Sequence, residues 1–109
     1  MSDMTLHRVA GNRPLAVLDL ATGQLYVNGP RWDSLTPATR RFVYLHELAH
    51  WQTRSDDELL ADQLAFAAYV AEGYQPAQAQ VALQYVLRGI NTDLAQVRLR
   101  FMHRRIINY

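Results

Sequence analysis

The chain has 109 residues, half of them apolar, a formal charge of +1 and no cysteine. That length suffices for one domain with its own core, and the near-neutral balance speaks against a dedicated nucleic-acid binder. Lacking cysteine, the chain can have no disulfide, thiolate metal site or cysteine nucleophile.

All 11 basic side chains are Arg, a compositional bias rather than a physical need at every position. The first residues lack the charged-then-apolar pattern of a signal peptide, and no apolar run is long enough to span a bilayer. A cytoplasmic protein without a membrane partner is the expectation.

In chain order, residues 1–13 are mixed and polar and read as a loose arm. Residues 15–20 and 25–28 read as two strands of a β-hairpin, with Gly23 supplying positive φ in the turn; Gly29-Pro30 ends it. Thr36-Pro37 is an N-cap followed by proline at the first helical position, so a helix should run to about Thr53. Ser55-Asp56-Asp57-Glu58 has the form of a capping box for a second helix, ending near Gly73. Gln75-Pro76 opens a third, ending near Gly89. Asn91-Thr92-Asp93 opens a fourth, running to about Ile107, with Leu94, Val97, Phe101 and the stem of Arg104 on one face. The expected architecture is α+β: a mainly helical single domain over residues 1–109. In it an N-terminal hairpin packs on a helical pair, and two further helices follow.

The chemistry-bearing stretch is His46-Glu47-Leu48-Ala49-His50. Histidines four apart on a helix share a face, where two neutral imidazoles can hold one Zn²⁺. Glu47, beside the first histidine, can reach a water rather than the metal and act as general base. A catalytic zinc needs a third protein ligand and an open position. The next helix offers Asp56, Asp57, Glu58 and Asp62. Glu58 and Asp62 share a face that a helical hairpin would turn toward the histidines. Glu58 is favoured as ligand, with Asp62 hydrogen-bonding a ligating histidine or replacing Glu58 on the metal.

His46-Glu47-Leu48-Ala49-His50 followed by Glu58-Leu59-Leu60-Ala61-Asp62 resembles the HExxH…ExxAD arrangement of minimal gluzincins, the ImmA/IrrE-type and small phage or bacterial metallopeptidases. The resemblance covers about residues 14–72. It implies a zincin-like domain with one zinc per chain held by His46, His50 and Glu58. Glu47 would be the base, Asp62 would support a ligating histidine, and the substrate would be a protein or peptide. Only seven residues separate His50 from Glu58, which demands a very tight turn around Arg54-Ser55. Asp56 stands where metzincins carry their third ligand, but Thr53 replaces the glycine of that pattern, and Met102 falls in a helix rather than a Met-turn.

A peptidase also needs a surface that holds substrate extended. The strand Leu25, Tyr26, Val27 and Asn28 is the candidate edge for β-addition. No oxyanion donor is evident; Tyr69 lies too far along its helix and His103 reads as a surface residue. Arg98, Arg100, Arg104 and Arg105 read as a solvated face near a helix C-terminus, or as a nucleic-acid contact like that of SprT-like proteases acting on DNA-bound proteins. A zinc-stabilised regulatory or interaction module without turnover is the alternative from another class.

Overall fold

A computed structural model describes residues 3–109. Three strands, β1 (Thr5–Val9), β2 (Ala16–Asp19) and β3 (Gln24–Asn28), precede five helices: α1 (Gly29–Ser34), α2 (Pro37–Thr53), α3 (Glu58–Ala71), α4 (Pro76–Val86) and α5 (Asp93–Ile107). The chain is an α+β, mainly helical domain whose small sheet lies at its N-terminal end. Among the described residues no helix is long and apolar enough to cross a membrane.

The expected hairpin is present: β2 and β3 pair antiparallel with Leu18 opposite Leu25. Its turn is built by Asp19, whose Oδ1 accepts from the Ala21 N–H (2.9 Å) and whose carbonyl accepts from Gly23 (2.8 Å). Gly23 sits at φ +76°, where a side chain would be strained. The loose arm is corrected over part of its length. Residues 5–9 form β1, which pairs parallel to β3 with Leu6 opposite Leu25. Leu6 packs against the core beneath the sheet, but Thr5–Val9 is too short and too mixed to show the alternation of a half-buried strand. Met1 and Ser2 lie outside the described residues.

The strand order is therefore β1-β3-β2, with β3 in the centre. Leu25 and Val27 face inward at full burial, joined by Met4, Leu15, Trp32, Leu35, Val43 and Trp51 in one core. Tyr26 points outward and stacks on His7.

The expected starts of α2, α4 and α5 hold. The Thr36 hydroxyl accepts from Thr39 N (3.2 Å), Pro76 opens α4 after Gln75, and the Thr92 hydroxyl accepts from Ala95 N (3.1 Å). Two details differ. Gly29-Pro30 begins α1, because Asn28 caps it through Oδ1 to Arg31 N (3.2 Å) and proline suits a first helical turn. The cap of α3 is Asp57, with Oδ1 accepting from Leu60 N (3.1 Å), while Ser55 Oγ accepts from the Asp57 N–H one turn earlier (3.1 Å). Glu58 is thus the first residue of α3, and its carboxylate is free of capping.

Helix α2 lies between two cores. Val43 and Trp51 pack toward the sheet, while Phe42 and Leu45 pack with Phe66, Tyr69, Leu83 and Met102 of the other helices. The face of α5 shared by Leu94 and Val97 is not the one that turns inward. Ala95, Arg98 and Met102 are buried, while Leu94 and Val97 are 49% and 37% exposed. An inward arginine hides that face from any apolar periodicity.

Candidate metal centre

Helix α2 ends at Arg54, which adopts the left-handed conformation (φ 52°). Ser55 N donates back to the His50 carbonyl (3.3 Å), the wide closing bond of a Schellman-type end. The guanidinium of Arg54 stacks on the Trp51 ring. This is the tight turn that the short spacing demands, and it sets the start of α3 beside the last turns of α2.

His46 and His50 are both buried, with their Nε2 atoms 3.1 Å apart. Glu58 Oε1 closes the triangle, 3.2 Å from His46 Nε2 and 2.5 Å from His50 Nε2. Three donors on a tetrahedral ion with bonds near 2.0–2.2 Å stand about 3.3 Å apart, so the group can hold a metal ion after a slight expansion. The far nitrogens are engaged as metal-ligating histidines require. His50 Nδ1 contacts the Ser55 carbonyl at 2.7 Å. His46 Nδ1 lies 2.9 Å from Asp62 Oδ1. That second contact is close but the ring N–H is not aimed along it, leaving Nδ1 without a well-aligned hydrogen bond. Asp62 therefore acts on His46 as a close opposite charge.

The protonation pattern follows from this crowding. Burial alone would push His46 down, but contacts with Asp62 and Glu58 outweigh it and raise its pKa to about 9. Glu58 raises His50 against a smaller burial effect. Glu58 is held well below the usual carboxylate range by the two histidines, with Arg98 adding to the effect. Glu47 moves the other way: burial pushes it up, partly offset by the histidines. Its carboxylate forms no hydrogen bond or ion pair among the described residues, and it lines the depressions on both sides of the triad.

Asp62 is fully buried and belongs to the support of the triad rather than to its donor set. Its partner is a residue the sequence reading placed on a solvated face. Arg98 of α5 is 5% exposed and grips Asp62 through Nε–Oδ2 (2.8 Å) and Nη2–Oδ1 (3.0 Å), while Nη1 reaches Glu58 Oε2 (3.1 Å). The one signal available in the sequence was its register with Ala95 and Met102. Without Arg98, the basic face of α5 reduces to Arg100, Arg104 and Arg105.

Asp56 lies at the mouth of a depression with Leu18, Leu20 and His50, outside the donor group. Tyr69 donates to the Ala38 carbonyl (3.0 Å) within the helical core. His103 is exposed beside Leu99 and Ile107, away from the triad. The expected substrate strand, Leu25 to Asn28, is corrected. As the central strand its backbone is paired on both sides. Leu25 and Val27 are in the core, Tyr26 faces outward, and the buried Asn28 amide donates to the Gly11 (3.2 Å) and Arg13 (3.0 Å) carbonyls.

The strand that borders the triad is β2. It is an edge strand; Leu15, just before it, and Ala16, its first residue, line one depression with His46 and Glu47, and Leu18, toward its end, lines the other. No family model, characterised protein or solved structure matches the chain.

Proposed function

We propose that the chain is a zinc-dependent peptidase. The observation that carries this reading is the convergence of His46 Nε2, His50 Nε2 and Glu58 Oε1 on one point, with the unpaired Glu47 carboxylate alongside. A purely structural metal site closes its coordination with protein ligands and has no use for such a carboxylate. Two imidazoles and a carboxylate are the donor set of a zinc hydrolase site, and the HExxH…ExxAD resemblance points the same way.

Zinc held there supplies Lewis acidity, which acidifies water and polarises a carbonyl. Glu47 accepts a proton from the attacking water and passes it to the leaving amine. Burial favours this by raising the affinity of Glu47 for that proton. Asp62 and Arg98 hold His46 and Glu58 in place. The free edge of β2 offers backbone groups to an extended peptide and takes over the role expected of β3.

The test is metal content with and without Glu47. The zinc-loaded wild type should bind one zinc per chain and cleave members of a fluorogenic peptide library. Glu47→Gln should keep the zinc and lose cleavage by about 100-fold or more, the usual scale for a general base. Failure to take up zinc, or undiminished cleavage by Glu47→Gln, overturns the proposal.

A further inference from the structure

We infer that the depression on the α4 side of the triad is a substrate pocket selecting a large apolar side chain with an acidic neighbour. This deepens the peptidase reading and rests on it.

The cavity measures about 430 Å³, within the size range of pockets that hold ligands. Its inner end is formed by His46, Glu47 and Glu58. One part of its wall is apolar: Phe42 and Val43 of α2, Leu83 of α4 and Leu87 just after that helix all line it and are at most 7% exposed. A charged side chain placed against them would lose its hydration without a partner, whereas a Phe or Leu side chain would complete the packing.

At the rim the chemistry changes. Arg31 of α1 and Arg88, just past α4, both line the cavity and both are exposed. Neither has a carboxylate partner among the described residues. Arg88 rests its guanidinium over the Tyr85 ring (4.9 Å), which restrains it while leaving its N–H groups available. The third arginine of the cavity, Arg98, is already committed to Asp62 and Glu58.

The depression on the other side, about 390 Å³, presents Asp56 with Leu18 and Leu20 and carries no arginine. The two ends of the cleft therefore have opposite charge, and β2 runs between them. A peptide lying along β2 would place an acidic residue near Arg31 and Arg88, beside the apolar side chain that fills the cavity.

Binding to the zinc-loaded Glu47→Gln protein tests this without depending on turnover. Fluorescein-labelled octapeptides would carry central Phe-Glu, Glu-Phe, Ala-Glu, Glu-Ala, Phe-Lys or Lys-Phe pairs. The better Phe/Glu order should bind about tenfold or more tighter than its Ala and Lys counterparts, the scale on which apolar pockets discriminate. Adding Arg31→Glu and Arg88→Glu together should invert the preference toward Phe/Lys with zinc content unchanged. Affinities within twofold of one another, no detectable binding, or a preference untouched by the charge reversal overturns the inference. Peptides that bind with this preference but are never cleaved by the wild type would leave the pocket standing and overturn the peptidase reading.

Discussion

Arg98 of α5 holds Asp62 of α3 by two parallel contacts, at 2.8 and 3.0 Å, with both side chains out of water. A buried pair of this kind adds little net stability, but removing one partner costs about 3–5 kcal/mol because the other charge is stranded. Arg98→Met should therefore lower stability by about that amount in urea unfolding. Arg98→Lys keeps the charge but not the planar fork. Since Asp62 and Glu58 are both held by that fork, Arg98→Lys should weaken zinc affinity about 10–100-fold, measured by competition with a chromogenic chelator. Wild-type affinity in Arg98→Lys would exclude a role for the fork in shaping the metal site.

The three candidate carboxylates should separate by metal affinity. Glu58 supplies an oxygen to the donor group, Asp62 acts through His46 and Arg98, and Asp56 only borders the cleft. Glu58→Gln should show the largest loss of zinc affinity and Asp62→Asn a loss of about 10–100-fold. Asp56→Asn should leave affinity unchanged. A larger loss for Asp56→Asn than for Glu58→Gln would place the third ligand at Asp56.

What the sequence disclosed follows from the range of the forces involved. Helix starts are local: Thr36-Pro37 and Thr92 cap through hydrogen bonds three residues long, and these were legible. So was the shared face of His46 and His50, because helical spacing alone sets it. The position of β3 was not legible, because it depends on β1 pairing from the far side, a contact between segments some 19 residues apart (Thr5 with Gln24). Arg98 was hidden for a related reason: its partner lies 36 residues away, and an arginine in an Arg-rich helix reads as solvated until that partner is known. Glu58 was found, although the N-cap role expected of Ser55 belongs to Asp57, which makes Glu58 the first residue of the helix.

Metal loading should release protons. In the metal-free chain His46 titrates at about 9 and His50 is also raised, so His46 carries a proton at neutral pH. Ligation requires neutral imidazole. Zinc affinity should rise with pH and level off only above about 9, where His46 is already neutral. Titration calorimetry in buffers of different ionisation enthalpy should show at least one proton released near pH 7. Zero release would contradict this assignment.

The same shift makes an opposite prediction for the metal-free protein's stability. A group whose folded pKa is raised stabilises fully below its unfolded pKa and loses that contribution as pH climbs through the folded value. With chelator present, the contribution of His46 should be intact below about pH 6.5 and fade as pH approaches 9. Glu58, shifted down, contributes above the ordinary carboxylate pKa and loses that contribution as acid protonates it. Urea midpoints at pH 6, 7.5 and 9 check the upper limb. A metal-free midpoint that rises across that range would contradict the ion contacts around His46.

The turn of the hairpin and the end of α2 should also prove coupled. A Cβ at Gly23 would stand 2.7 Å from Trp51 Cζ2, and the backbone there holds φ +76°. Gly23→Ala therefore meets both a ring it cannot displace cheaply and a conformation that alanine resists. Overpacking and left-handed strain each cost about 1–3 kcal/mol, and the urea midpoint should fall accordingly. Trp51 directly follows His50, so a displaced ring pulls on the helix turn that carries a proposed ligand. Zinc affinity should fall with stability in Gly23→Ala but hold in Gly73→Ala. Gly73 is likewise at positive φ but has open space around its Cβ position. Equal effects of the two substitutions on zinc affinity would show that backbone strain alone, and not the contact with Trp51, accounts for the loss.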